Sequence, residues 1–266
     1  MKNPARGGGR WIEVAPGRLV AWVDSFAERH PGATVTRTWD GVTFTAADGA
    51  TAECYPPFPP LPPLLAADSN PPGPAPGPDA DPDPAPGHGP GTSFAAAPVP
   101  ETGTEALTAA ANLIVSHSTA PRTVGVLLVR LGGYAAGVFT GSPPRLAASK
   151  VGSRLVHGRS AAGGTSQHRF ARRREKQAAE ALSAAADNAA KVFTPYREAL
   201  DAVVLGGDRR SVAALRDDPR LARYFALATD RFIAVPDPRL NVLRDSPRLF
   251  LAIRIRLTDP GGRAPG

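Results

Sequence analysis

The sequence of 266 residues has a single cysteine and a single methionine. A lone thiol, Cys54, has no internal disulfide partner and cannot by itself build a zinc site, which fits a reducing compartment and predicts a cytoplasmic protein. Aromatic residues make up only 6% of the chain, and no apolar run approaches the roughly 20 residues needed to cross a bilayer, so no membrane partner is expected. The amino end, MKNPARGGGRWIEVAPGR, lacks the apolar stretch of a secretory signal. His30, His88, His117, His157 and His168 are scattered without paired ligand spacing, which argues against a catalytic metal. No phosphate-cradling GxxxxGK[ST] or GxGxxG follows a strand pattern, so no cofactor is expected.

Acidic residues are nearly missing from one stretch. Residues 145–176 hold nine Lys or Arg against one acidic side chain, Glu175, so the net charge of +7 is concentrated there. The remainder is close to balanced. A local basic stretch of this kind points to a polyanionic partner more sharply than a high pI does.

What is abundant is hydrophobic content, at 42%, and proline, at 30 residues. The first allows a sizeable core. Of the prolines, 17 fall in residues 56–100, where repeated Pro-Gly, Pro-Ala and Asp-Pro steps cannot sustain helix or sheet. This predicts four parts: a small α+β unit over 11–65, a Pro/Gly/Ala-rich linker over 66–103, a larger α/β domain over 104–258 and a tail over 259–266. In the first unit Leu19, Trp22, Val23 and Phe26 form one helical stripe, predicting a helix over 17–29. Three β-like runs follow at 34–39, 42–46 and 50–54. They are joined at Asp40 and Gly41 and at Asp48 and Gly49, pairs that favour type I′ hairpin turns. Trp11, Trp22 and Trp39 read as core residues of this unit, given the apolar area each can bury.

In the larger part, helical spacing marks 104–117 and strands are expected at 124–130, 134–140 and 145–156. A small-residue loop over 157–165 follows, and then a long helix over 166–192 with Phe170, Leu182, Ala185, Ala189 and Val192 on its buried face. Further strands are expected at 202–205, 232–235 and 249–257, the last alternating apolar positions with Arg254 and Arg256. Asp208 is placed to N-cap a helix after Gly206 and Gly207. Interleaved strands and helices predict an α/β fold, a mixed β-sheet flanked by helices.

The stretch HGRSAAGGTSQHRFARRREKQ over 157–177 places a glutamine, Gln167, between a glycine-containing loop and an Arg-rich helix. Gly163 and Gly164 equally suit an ordinary surface loop. The basic run is more telling, because Arg169, Arg172, Arg173 and Lys176 fall at i, i+3, i+4 and i+7 and share one helical face. Four cations on one face repel one another, and Glu175 alone cannot offset them, so contact with nucleic-acid phosphates is the better account. Charge does not distinguish RNA from DNA.

These residues resemble the central domain of eukaryotic and archaeal class I peptide-chain release factors and, within that group, the Vms-like release factors of actinobacterial type. The class carries a Gly-Gly-Gln loop followed by a helix beginning like RFARLR-EK; this chain has GGTSQHRFARRREK from Gly163 to Lys176. The stretches VGVLLVRLGGYAAGVFTG, AVVLGGDRRSVAAL and ADNAAKV extend the likeness over residues 122–257. Thr165 and Ser166 stand between Gly164 and Gln167, giving the Gly-x-x-Gln pattern of the Vms-like branch, so the backbone geometry of the stricter motif does not transfer.

The resemblance implies a release-factor central-domain-like fold and a peptidyl-tRNA hydrolase in ribosome rescue and quality control. It makes Gln167, Gly163 and Gly164 the candidate catalytic residues and Arg159, Arg169, Arg172, Arg173 and Lys176 the candidate RNA-binding residues. The implied partners are the peptidyl transferase centre of the large ribosomal subunit and peptidyl-tRNA. The sequence has no Asn-Ile-Lys-Ser codon-reading motif and no evident region for a GTPase partner, so codon-independent release is expected. Cleavage of the tRNA near its 3′ end, or a non-catalytic ribosome- or RNA-binding role, are the alternatives.

Overall fold

The apolar alternation of the sequence resolves into two sheets. The computed structural model describes residues 9–62, 101–130, 132–153 and 166–260, with the side chains of 166–174 left aside. Most of the Pro-rich linker lies outside the described residues.

The first sheet combines β1 (Arg10–Val14), β2 (Thr34–Arg37), β3 (Val42–Thr45), β4 (Thr51–Tyr55) and β5 (Glu101–Thr102) with the last strand of the chain, β11 (Ile253–Thr258). Its order is β1-β11-β4-β3-β2-β5, antiparallel throughout. One face is covered by α1 (Leu19–Arg29) and α2 (Thr104–Thr119). Leu19, Val23 and Phe26 from α1 and Leu107, Ala111 and Ile114 from α2 meet Val35, Phe44, Ala52, Ile253 and Ile255 in one buried cluster. The stripe read over 17–29 is therefore a real helix, its first turn tightened to a 3₁₀ turn at Pro16–Arg18.

The hairpin turns differ from expectation. Among the described residues no non-glycine has a positive φ, which excludes type I′ turns with Asp40 or Asp48 in their first central position. The connections are longer than two residues. Strand pairing stops at Arg37 opposite Val42 and at Thr45 opposite Thr51. In the second connection Gly49 takes φ +89 while Asp48 Oδ1 accepts from Ala50 N at 2.9 Å, so the aspartate side chain supplies the turn contact.

The second sheet contains β6 (Arg122–Arg130), β7 (Gly133–Gly141), β8 (Arg145–Ser153), β9 (Ala202–Gly207) and β10 (Ala228–Ile233), in the order β10-β9-β6-β7-β8. β10, β9 and β6 are parallel, whereas β6, β7 and β8 form an antiparallel meander. The fold is thus α/β with a mixed sheet, flanked by helices on both faces. One face carries α3 (Ser166–Phe193), α4 (Arg209–Ala213) and α5 (Ala222–Ala226), through Ala185, Ala186, Ala189, Phe193, Val212 and Tyr224. The other carries α6 (Leu240–Asp245) and α7 (Pro247–Phe250), through Leu243 and Phe250.

Two expected strands shift. The strand predicted over 232–235 lies earlier, at Ala228–Ile233. That predicted over 249–257 begins only at Ile253, because Pro247 starts a helical turn whose Phe250 is buried against the mixed sheet. Beyond it, Ile253, Ile255 and Leu257 face the first sheet's core while Arg254 and Arg256 face outward. The chain therefore closes by inserting β11 between β1 and β4, the first and the fourth strand of the chain.

The two layers meet through Phe58, packed edge-on to Phe250 with centroids 6.3 Å apart, and through buried Arg231. Its guanidinium donates to Ala252 O and pairs with Glu13 at 3.1 Å. A cleft of about 730 Å³ lies beside this contact, lined in part by Trp11, Trp39, Tyr55 and Arg254. Trp39 is 72% exposed, so it is not the core residue expected; Trp11 and Trp22 are half-buried. Trp39 sits where the chain turns between β2 and β3, outside the layer that α1 and α2 cover.

Candidate active site at the loop and basic helix

The mixed sheet positions α3. Phe193, at its carboxyl end, lies over Gly125 near the start of β6. Ala178, Ala181 and Leu182 line a crevice with Val129, Arg130, Gly132 and Gly133, at the far end of the same strand and its turn. The helix therefore runs antiparallel to β6, and the residues before Ala178 continue past the β6–β7 turn. Twelve residues at a rise of 1.5 Å carry the helix about 18 Å beyond that turn.

Its buried half explains why it is held so firmly. Ala185, Ala186 and Ala189 let the helix approach the sheet closely, and Val192 and Phe193 fill the end of the contact. Asn188 Nδ2 donates to Tyr134 Oη at 2.7 Å, tying the helix to β7. Arg220 bridges Asp187 of the helix to Asp218 beyond α4. Leu182 packs at the margin of this cluster, and Phe170 falls among the side chains outside the described residues.

Of the candidate catalytic residues, Gln167 is the second residue of α3, at the end of the helix farthest from the sheet. Gly163 and Gly164, with Arg159, lie outside the described residues. Arg169, Arg172 and Arg173 lie on the continuous helical backbone of α3, so their expected spacing falls within one unbroken helix. Lys176 is exposed. The chain leaves β8 at Ser153, paired with Gly133 at the start of β7. The strand that precedes the loop thus ends at the same pole of the sheet past which α3 extends.

Other charged groups gather at that pole, which the sequence reading left unassigned. Arg130 ends β6; Arg209 and Arg210 open α4 directly after β9; all three are exposed. The two strands are locked together there, since Val129 pairs with Gly207 and Asp208 N donates to Val129 O at 2.7 Å. Gly207 has φ +101, and a Cβ on it would sit 2.2 Å from Val129 O, so only glycine permits this approach. Asp208 caps α4 as expected, its Oδ2 accepting from Ser211 N at 2.9 Å and Ser211 Oγ at 2.7 Å. These bonds hold its carboxyl below the usual carboxylate range. A textual signal was present: VRLGG and LGGDRR both set arginine beside a glycine turn at a strand end.

The histidines have local roles where they are described. His117 Nε2 donates to Phe58 O at 2.6 Å, and His30 Nδ1 lies 2.8 Å from Asp48 Oδ2. His88, His157 and His168 have no described side chains. Among the described residues no helix is long and apolar enough to cross a membrane.

Residues 122–256 match the family described as the Actinobacteria/chloroflexi VLRF1 release factor, a span that takes in the whole mixed sheet and reaches into β11. The chain belongs to this release-factor family. No curated protein matches the chain. Among solved structures it is similar to the archaeal translation termination factor aRF1, at 13% identity and a TM-score of 0.35, covering 91% of this chain and 66% of that one. A second archaeal protein aligns at 12% identity and a TM-score of 0.33, over 89% of this chain and 62% of the other. The chain thus spans just under two thirds of the length of the structures it matches. Membership of the release-factor family rests on residues 122–256, and the mixed sheet on its own strand order.

Proposed function

We propose that this release-factor-family chain is a peptidyl-tRNA hydrolase that frees nascent peptides on stalled or split ribosomes without reading a codon, with Gln167 positioning the attacking water. The observation that carries the reading is the placement of Gln167 at the tip of a 28-residue helix whose first turns are rich in arginine and extend past the end of the sheet. A narrow RNA cavity is reached by a slender basic projection, not by the bulk of a domain.

The chemistry asks little of the protein. Water adds to the ester carbonyl carbon, the bond to the tRNA 3′ oxygen breaks, and a proton passes to that oxygen, leaving a peptide carboxylic acid and an intact tRNA. The side-chain carbonyl of Gln167 accepts a hydrogen bond from the water, and its amide donates toward the developing oxyanion, with no change of charge. Orientation of this kind is worth several kcal/mol, since effective molarities reach on the order of 10⁵ M. Gly163 and Gly164 keep side chains out of the approach, and Arg159, Arg169, Arg172, Arg173 and Lys176 hold phosphates along it. The large ribosomal subunit and peptidyl-tRNA are the partners in this reading.

The test incubates wild-type and Gln167→Ala protein with large subunits carrying peptidyl-tRNA and resolves peptide, tRNA and shortened tRNA on a gel. Peptide released with full-length tRNA, and lost in the variant, is the expected result. Shortened tRNA identifies an endonuclease, and binding without release a docking factor; either one refutes the hydrolase.

A further inference from the structure

We propose that Arg130, Arg209 and Arg210 form a second phosphate-binding rim at the pole of the mixed sheet past which α3 extends, gripping RNA backbone beside the helix. The inference deepens the proposed function and rests on it for the identity of the polyanion.

The three arginines come from distant parts of the chain, yet the paired ends of β6 and β9 bring them together. Arg130 follows Val129, which pairs with Gly207, and Arg209 and Arg210 begin two residues later. Ser211 and Arg130 line the same crevice as Ala178, so the rim adjoins α3 only two residues beyond Lys176. Arg239, exposed and next to the Pro238 that packs on Gly133, lies on the opposite side of the same turn.

None of these arginines, nor Lys176, makes an ion pair among the described residues, whereas Arg220, Arg223, Arg231, Arg248 and Arg256 all do. Acids near the rim along the chain include Asp208 and Asp237, with Glu175 and Glu180 on α3. Asp208 already accepts two bonds from Ser211 as the cap of α4. Arg130 donates to Val235 O at 3.2 Å, and Arg209 lies over the Phe232 ring at 4.3 Å, contacts that orient both guanidiniums without neutralising them. Arg210 feels the adjacent Asp208 carboxylate without pairing to it, and cations without an ion pair beside a basic helix attract a phosphate chain that continues past the helix, the gain coming from released counterions. Arginine suits the task because its planar fork meets phosphate oxygens in pairs.

The experiment measures binding of the full chain to purified large subunits carrying peptidyl-tRNA, as a function of salt, for wild type, R209Q/R210Q and a charge-matched control, R244Q/R248Q, on the helices of the opposite face. Each phosphate contact contributes about 0.7 to 0.9 to the slope of log affinity against log salt, so R209Q/R210Q should flatten it by about 1.4 to 1.8. Its deficit against wild type should then shrink roughly tenfold between about 50 and about 200 mM salt. The control should keep the wild-type slope. Because Arg209 packs on Phe232, the single variant Arg210→Gln guards against a folding defect, with about half the change expected.

Wild-type slopes in both rim variants overturn the rim, even where peptide release stands, and so does failure of the wild type to bind. Binding with the expected slopes but no peptide release leaves the rim and refutes the hydrolase.

Discussion

Truncating Ile255 to alanine tests whether the carboxyl strand is structural cement for the amino-terminal unit. Ile255 is fully buried, paired with Ile12 of β1 on one side and Cys54 of β4 on the other. Removing three carbons costs about 2.4 kcal/mol in transfer free energy at about 0.8 per methylene. A cavity term is added, because strands on both sides are pinned by their ladders and relax little, bringing the loss to about 3 to 4 kcal/mol. That is a large share of a typical stability of about 5 to 15 kcal/mol. Trp11, Trp22 and Trp39 all belong to the first sheet's unit, so tryptophan fluorescence follows that unit alone, whereas far-UV dichroism is weighted toward α3 and the mixed sheet. Urea unfolding followed by both probes should show one coincident transition in wild type, moved to lower urea by the same amount in Ile255→Ala. A loss below about 1 kcal/mol would refute the packing argument. A shift in fluorescence with an unmoved dichroism transition would refute the coupling between the two sheets through β11, Phe58 and Arg231.

The remaining expectations are local. Cys54 is buried and its thiol is pushed well above the ordinary range by loss of hydration, so it should resist a thiol-specific reagent in the native state and react fully in denaturant; rapid native labelling would show that β4 opens. His117 titrates below its ordinary value, first because burial penalises its charged form and then through Arg122 and Arg37, against the opposing hydrogen bond to Phe58 O. The unfolded chain thus takes up the proton first as pH falls. Stability attributable to His117 should be complete above about pH 6.5 and decline below it, through the window between the unfolded and folded values. Unfolding midpoints across that range should fall less in His117→Gln than in wild type, and equal slopes would refute the assignment.

What the sequence made legible was whatever repeats with a short period. The α1 stripe, the Asp208 cap, the buried face of α3 and the β6–β7 hairpin all depend on neighbours within a few residues, and all were readable. What failed depends on contacts across the chain. Nothing local distinguishes a strand that pairs with β9 from one that pairs with β1, so the alternation of Ile253, Ile255 and Leu257 announced a strand without its sheet. Trp39 looked like core by its size, but its exposure is set by the longer turn it occupies. The candidate site divides along the same line. Gln167 and the basic positions of α3 lie within ten residues and could be read as a pattern, whereas Arg130 and Arg209 reach the same end of the sheet because β9 pairs with β6, closely at Gly207. A charge cluster assembled by strand pairing has no spacing to detect. Glycine turns carrying arginine at the ends of two predicted parallel strands are its nearest trace in the sequence, because parallel neighbours in register end at the same pole.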